Sequence, residues 1–186
     1  MNVFMKKHPF IKAAMIMVVF VTGLLSIIAS GGPKYTWRSD PFVRNVTNEF
    51  FDASIIPECG YDYNIEESSC KGFMITITNK TDKDLELIWD KTYYMDNGRT
   101  SGRFMFEGIV YSERNNPKPP DMIFAKNTFT QTIYPNNLVH FQGGKFAKWL
   151  HDSMSSGEQG VYLTVKVGNN ELHEKLVLNL YQETVK

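Results

Sequence analysis

Alternation of apolar and polar residues over long stretches is the feature that most restricts the fold of this chain. In GVYLTVKV, Val161, Leu163 and Val165 fall on one side and polar residues fall on the other. In GFMITITN, Phe73 and Ile77 belong to a similar row. Such rows bury one face of a β-strand, whereas apolar residues on a helix recur every three or four positions. We therefore predict a mainly β protein.

Turn residues separate these rows at regular intervals. Asn97-Gly98 is typical of a tight turn, and Gly168-Asn169-Asn170 divides the last two rows. About seven or eight strands at roughly ten-residue spacing predict an antiparallel, immunoglobulin-like β-sandwich. The segment GKFAKWLHDSM places Phe146, Trp149 and Leu150 three and four residues apart, which predicts one short helix.

The N-terminus has the three parts of a secretory signal. Lys6, Lys7 and Lys12 come first, Ala13 to Ala29 is a run of seventeen uncharged residues, and small residues follow. A helix of this length spans about 25 Å, slightly less than the hydrocarbon core of a bilayer. Because basic residues stay on the cytoplasmic side, the chain after this segment is expected outside the inner membrane.

Three fates fit this segment. A signal peptidase could cut after Gly31, with Ala29 and Gly31 as the small residues that it recognises. The segment could also stay as an anchor, or Gly31 could replace the cysteine that carries the lipid in a lipoprotein. We accordingly divide the chain into a signal peptide or membrane anchor (1–31), an extended tether (32–50) and a β-sandwich domain (51–186). All three fates place the domain on the periplasmic side of a bacterial envelope, membrane-anchored or secreted.

The two cysteines and the charge balance agree with that location. Cys59 and Cys70 lie in a polar, turn-rich stretch, and in an oxidising compartment they predict one disulfide, worth about 3 kcal/mol. Two free thiols are the alternative. Residues after 31 carry three more acidic than basic side chains, and no basic stretch suggests a nucleic-acid partner.

No sequence motif indicates catalysis or a metal site. His8, His140, His151 and His173 lie in separate segments without the short spacing typical of zinc ligands. The acidic run DKDLELIWDKTYY fails as an EF-hand because Leu87 stands where the loop needs glycine. A phosphate loop and a GxSxG elbow are also missing. We assign no catalytic residue, metal ligand or cofactor and expect a protein that is not an enzyme, while a loose calcium site stays open.

Two stretches are candidates for binding a partner. One is the aromatic run WDKTYY, for which core packing is the alternative. The other is the loop 112–123, stiffened by three prolines, for which a plain crossover between sheets is the alternative. The candidate residues are Trp89, Tyr93, Tyr94, Arg114, Lys118 and Pro119.

The same region resembles a group of uncharacterised bacterial envelope lipoproteins. The resemblance covers residues 72–140 and rests on NKTDKDLELIWDKTYY, GIVYSERNNPKPPDMI and IYPNN. These give a strand ending in Trp-Asp, a hydrophobic strand, a proline-rich turn and a strand ending in proline. The resemblance implies a β-sandwich in the envelope and no particular activity. Gly31, in place of the lipid-bearing cysteine, is the main departure from that group.

Two functions follow as hypotheses. The first is a non-catalytic envelope module that binds another envelope protein or assists assembly, with the N-terminal segment as its link to the membrane. The second is an envelope enzyme or a small-ligand or glycan-binding protein, which would require two acidic groups within about 10 Å in a concave groove.

Overall fold

Two antiparallel sheets and a separate hairpin make up the part of the chain that the computed structural model describes, residues 35–62, 67–145 and 147–185. The first sheet contains β1 (Tyr35–Asp40), β5 (Leu85–Leu87), β6 (Tyr93–Asp96), β7 (Arg99–Thr100), β9 (Asp121–Ile123), β13 (Gly157–Val167) and β14 (Asn170–Thr184). The second contains β2 (Arg44–Thr47), β3 (Phe51–Asp62), β4 (Glu67–Asn79), β8 (Phe104–Met105) and β10 (Thr128–Pro135). The hairpin consists of β11 (Val139–Gln142) and β12 (Lys148–His151). Short 3-10 turns occupy Trp89–Lys91, Tyr111–Glu113 and Asn136–Leu138.

The two sheets share one apolar core. Its members include Ile55 and Ile75 from the second sheet and Leu163 and Leu178 from the first. Alternate residues of a strand point to opposite faces, so the rows seen in the sequence become the inner faces of the sheets. The prediction of a mainly β protein with antiparallel sheets is confirmed, and the arrangement is consistent with a β-sandwich.

Glycine allows close approach of the backbone at two points in the sheets. A Cβ atom at Gly160 in β13 would overlap the carbonyl oxygen of Leu176 in β14. A Cβ atom at Gly72 in β4 would overlap the carbonyl oxygen of Ile133 in β10. Neither overlap involves a side chain that could move away, so any larger residue would push two strands apart.

The predicted short helix is wrong. The segment contributes β12, which pairs with β11 so that Phe141 faces Trp149 and His140 faces Leu150. The physical reason is that Gly143 and Gly144 weaken a helix and suit a turn, whereas aromatic residues suit a strand that has a partner. Phe146 lies outside the described residues, and among those residues no helix is long and apolar enough to cross a membrane.

Most of the described part of the predicted tether, residues 35–50, belongs to the sheets and is not a linker. Tyr35 pairs with Thr184, so β1 forms the edge of the first sheet beside β14. Arg44 pairs with Ile55, so β2 forms the edge of the second sheet beside β3. The chain therefore changes sheets within residues 41–43. Residues 1–34, with Ala29 and Gly31, lie outside the described residues.

The disulfide prediction agrees with the structure. Cys59 on β3 and Cys70 on β4 face each other in the ladder and are joined through their sulfur atoms. The backbone N–H of Met154 donates to the carbonyl oxygen of Cys70 at 2.7 Å. This bond ties the segment after the hairpin to the strand that carries the disulfide.

Removing a core side chain is expected to destabilise the fold strongly. Leu163 is fully buried between the sheets, so Leu163→Ala leaves a cavity and should lower the free energy of unfolding by about 3 kcal/mol. Leu150→Ala is the matched control, because Leu150 is exposed on the hairpin, and it should change stability by less than about 0.5 kcal/mol. Urea denaturation of both variants measures the difference, and equal losses would contradict this assignment of the core.

Candidate functional site

A cavity of about 310 Å³ lies beneath the segment that crosses from β8 to β9. This crossing segment, residues 106–120, is called the proline-rich loop below. The cavity is lined by Phe106, Glu107, Gly108, Ile109, Glu113, Asn116, Pro117, Lys118, Pro119 and Asp121. Since β8 belongs to the second sheet and β9 to the first, the loop crosses from one sheet to the other.

Trp89 fastens both ends of the proline-rich loop. Its side chain is 2% exposed and is therefore part of the core. Its indole Nε1–H donates to Asp121 Oδ2 at 2.8 Å, and its ring centroid lies 4.4 Å from that of Phe106. The sequence marked Trp89 as a partner-binding candidate, but the structure buries it in the core, where it contacts Phe106 and Asp121, the lining residues at the two ends of the loop.

Asp90 and Lys118 hold the loop near its C-terminal end. The Asp90 Oδ1 atom accepts the backbone N–H of Lys118 at 3.1 Å and also lies 3.1 Å from Arg103 Nη1. The Lys118 ammonium donates to the carbonyl oxygen of Arg114 at 2.9 Å. The 3-10 turn Trp89–Lys91 therefore carries the carboxylate that accepts a backbone hydrogen bond from the loop.

The ammonium of Lys118 is in an unfavourable environment. Lys118 is only 8% exposed, and burial lowers the pKa of its ammonium below the usual 10.5. The positive charge of Arg103 lowers this pKa further, while the carboxylate of Asp90 opposes both effects. A buried lysine with one carbonyl acceptor costs folding free energy that a surface lysine does not.

Carboxylates outnumber cationic groups around the cavity. Glu107 and Glu113 are exposed at its rim, Asp121 is half-buried, and Lys118 is the one basic side chain among the lining residues named above. The site therefore favours a cationic group over an anion, with apolar contacts available from Phe106 and neighbouring prolines. No group of three or more His, Cys, Asp or Glu within residues 35–62, 67–145 and 147–185 is arranged to hold a metal ion.

The aromatic run is divided between the core and a sheet face. Tyr94 is buried, and its hydroxyl donates to the Gln159 side chain. Burial, followed by the nearby charge of Asp96, raises the pKa of this phenol. Tyr93 is half-buried, and its ring centroid lies 6.4 Å from that of Tyr162. Neither tyrosine lines the cavity under the proline-rich loop.

The partner-binding candidates within the proline-rich loop also lie at two different cavities. Pro119 is exposed at the cavity, and the buried Lys118 lines the same cavity. Arg114 instead lies over the Tyr111 ring, with Cζ 4.3 Å from the ring centroid, and lines a second cavity of about 250 Å³. The sequence analysis did not single out Glu113, and Glu107 lies at a turn beyond the end of β8. The pair Glu107-Gly108 could have marked that turn, since Gly108 has φ 94°.

Comparison with known proteins gives no family for this chain. No protein family model and no curated protein matches it. A crystal structure of a protein from Archaeoglobus fulgidus is similar at 11% identity, over 81% of this chain and 95% of that one, with a TM-score of 0.29. A likeness at that score carries no argument about function.

Loss of the acceptor for Trp89 should destabilise the loop and the core together. Asp121→Ala leaves the buried indole N–H without this acceptor and should lower the free energy of unfolding by about 2 kcal/mol. Asp121→Asn keeps an oxygen acceptor and should cost less. Asp82→Ala removes a carboxylate that is 91% exposed and should change stability by less than about 0.5 kcal/mol. Equal urea midpoints for Asp121→Ala and Asp82→Ala would contradict the role given to this bond.

Burial of Lys118 predicts a specific dependence of stability on pH. Between the lowered pKa and 10.5 the unfolded chain binds the lysine proton more tightly than the folded chain, so stability rises with pH in this window. The free energy of unfolding of the natural chain, relative to Lys118→Met, should therefore increase as the pH rises towards 10.5. Urea titrations across this range measure it. An equal slope for the exposed control Lys175→Met would contradict the prediction.

Proposed function

We propose that this chain is a non-catalytic module of the bacterial cell envelope, an immunoglobulin-like β-sandwich that binds another envelope protein. The binding site in this proposal is the cavity under the proline-rich loop. The observation that carries it is a stiff loop fastened at both ends over a cavity rimmed by carboxylates.

Preorganisation of the loop supports a role in recognition. Pro117, Pro119 and Pro120 are exposed and restrict the backbone, while Trp89 and Asp90 hold the loop from below. A loop that is already ordered loses less conformational entropy on binding than a flexible one. The same contacts leave the prolines and Ile109 available at the surface of the cavity.

Charge and size define the partner segment. The cavity has three carboxylates and one ammonium group, which favours a basic side chain of the partner. The carboxylates belong to Glu107, Glu113 and Asp121, and Phe106 can contact the aliphatic part of that basic side chain. A volume of about 310 Å³ is enough for one or two side chains. We therefore propose a partner segment in which a lysine or arginine is flanked by apolar residues.

The envelope location rests on two features of the chain. The N-terminal sequence has a basic start, an apolar run and a small-residue exit, as secretory signals do. The Cys59–Cys70 pair forms a disulfide, and such bonds persist mainly in oxidising compartments. In this proposal the domain lies on the periplasmic side, and the N-terminal segment is cut off or retained as an anchor.

A second candidate function uses the same cavity. Pockets for small ligands typically measure about 300–1,000 Å³, so this cavity lies at the lower end of that range. Its carboxylates would then bind a small cationic ligand or the hydroxyl groups of a glycan.

Site-specific crosslinking in cells tests the partner. The photoreactive residue p-benzoylphenylalanine is placed at position 109 of the full chain, and crosslinked peptides are identified by mass spectrometry. The photoreactive residue at position 109 should capture one protein through a basic segment of that protein. The double substitution Glu107→Gln/Glu113→Gln should reduce the crosslinking yield about fivefold. Glu49→Gln/Glu158→Gln removes the same charge from exposed positions elsewhere and should leave the yield unchanged.

Two results would contradict the proposal. One is a yield at position 109 no higher than at Thr130, an exposed residue on β10. The other is an equal loss of crosslinking yield in Glu107→Gln/Glu113→Gln and in Glu49→Gln/Glu158→Gln. If position 109 captures no protein while lysine amide protects backbone amides of the loop from hydrogen exchange, the small-ligand function replaces the proposed one.

A further inference from the structure

One edge of the second sheet is open along most of β10. The strand pairs with β4 from Thr128 to Ile133, whereas β8 covers its other edge only at Tyr134 and Pro135. Within the part of the chain that the structure describes, no further strand continues the sheet on that side. The segment Thr128–Ile133 is therefore an edge strand that a second strand can join.

Hydrogen bonds at the two ends of β10 show which residues face the open edge. Before the strand, the Asn127 carbonyl oxygen accepts the Asn79 N–H at 2.9 Å and so points to β4. After the strand, the Asn136 N–H donates to the Arg103 carbonyl oxygen at 2.9 Å, on the side of β8. The N–H and C=O groups of successive residues point alternately to the two edges of a strand. The residues that face the open edge are Thr128, Thr130 and Thr132.

Most of these backbone groups lack a partner within the described residues. The Thr132 carbonyl oxygen accepts the Gln131 side-chain amide at 3.2 Å. The outward N–H and C=O groups of Thr128 and Thr130 make no backbone bond in the described part of the chain, and both residues are exposed. Alternating donors and acceptors in a row are complementary to another extended backbone.

This edge lacks the devices by which proteins protect edge strands. Charged side chains, prolines and short strands commonly prevent one edge from pairing with another. In this chain β1 carries Arg38, β2 carries Arg44 and β9 begins with Asp121. The segment TFTQTI, residues 128–133, contains no charged residue and no proline. A second strand can therefore approach β10 without like-charge repulsion.

The sequence of the edge is complementary to itself. Thr128-Phe129-Thr130 reads the same in both directions, so an antiparallel pair of two copies places phenylalanine opposite phenylalanine and threonine opposite threonine. The outward threonines then form the hydrogen-bonded pairs, and the phenylalanines form the non-hydrogen-bonded pair, in which side chains lie closest. β10 already pairs threonines on its other side, where the Thr128 hydroxyl lies 3.0 Å from that of Thr78.

Phe129 gives such a pair an apolar centre. Its side chain is half-buried and packs against the core, with its ring centroid 6.4 Å from that of Trp89. A phenylalanine directly opposite covers the exposed part of this ring, and cross-strand aromatic pairs stabilise antiparallel ladders. The same contact fixes the register, since a shift by one residue would place Phe129 opposite a threonine.

From the open backbone groups, the unprotected edge and the self-complementary segment, we infer that two copies of this chain pair through β10, antiparallel and with Phe129 at the two-fold axis. The second sheet of one copy continues into that of the other. Pairing of two edges buries less surface than a standard interface, so we expect a weak dimer with a Kd of about 10 μM. Residues 128–131 do not line the cavity under the proline-rich loop, so the inference does not depend on the proposed partner.

Sedimentation velocity of the full chain in a mild detergent, from about 1 to about 100 μM, tests the dimer. The natural chain should change from monomer to dimer over this range. Thr128→Lys/Thr130→Lys places like charges opposite one another and should raise the Kd at least about tenfold. Asn45→Lys/Thr47→Lys is the matched control, because it adds the same charge at exposed positions on β2, the other edge of the same sheet, and should leave the Kd unchanged.

Cysteine crosslinking tests the register. Cα atoms of a hydrogen-bonded antiparallel pair lie about 5.5 Å apart, which allows a disulfide. An equimolar mixture of Thr128→Cys and Thr130→Cys chains should therefore crosslink under mild oxidation at least about fivefold more than either variant alone. Thr47→Cys is the exposed control on β2, and Cys59 and Cys70 do not compete because they are bonded to each other. Gel electrophoresis without reductant measures the yield, and unchanged urea midpoints confirm that each variant is folded.

Three results would overturn the inference. They are a monomer at every concentration, an equal increase in Kd for the two double lysine variants or in neither, and a crosslinking yield in the mixture no higher than in the separate variants. If the chain stays monomeric while envelope proteins protect the Thr128 and Thr130 amides from hydrogen exchange, a strand of another protein replaces the second copy as the occupant of this edge.

Discussion

Burial of Trp89 with its indole N–H bonded to Asp121 is the interaction on which the rest of the candidate site depends. The Trp89 ring packs in the core between the two sheets. The same side chain contacts Phe106, the first residue of the proline-rich loop, and donates to Asp121, the residue that follows the loop. A change in the core at this position would therefore move the rim of the cavity. Trp89 therefore couples the stability of the core to the shape of the cavity, although its own side chain is not exposed.

Glu113 and Arg114 are neighbours in the sequence but line different cavities. Glu113 lies at the rim of the cavity under the proline-rich loop, whereas Arg114 lines the cavity beside the hairpin. The short 3-10 turn at Tyr111–Glu113 separates the two, because it directs neighbouring side chains to different sides of the segment. One turn of backbone is therefore enough to divide the charged residues of the loop between two places on the surface.

Local patterns in the sequence were sufficient for most of the sheet structure and insufficient for the site. The rows around Ile75 and Leu163 are visible because each strand buries every second residue. The hairpin was misread because Trp149 and Leu150 follow Phe146 by three and four residues, which fits a helix, and only pairing with Phe141 and His140 decides for a strand. Trp89 and Asp121 are 32 residues apart, and a bond over that separation leaves no local signature. The prolines and basic residues of the loop were enough to mark Lys118 and Pro119 as candidates. They could not show that Arg114 lines a different cavity from these two residues.

The close approach of strands at Gly160 and Gly72 has a consequence for recognising relatives of this chain. Overall similarity fails to detect a family, yet the overlap of any Cβ atom with the backbone at Leu176 and Ile133 depends on the fold and not on the rest of the sequence. A chain that has diverged at most surface positions would still need glycine at both points. Together with a tryptophan and an aspartate spaced as Trp89 and Asp121 are, these glycines form a four-position fingerprint with which distant homologues can be sought and aligned.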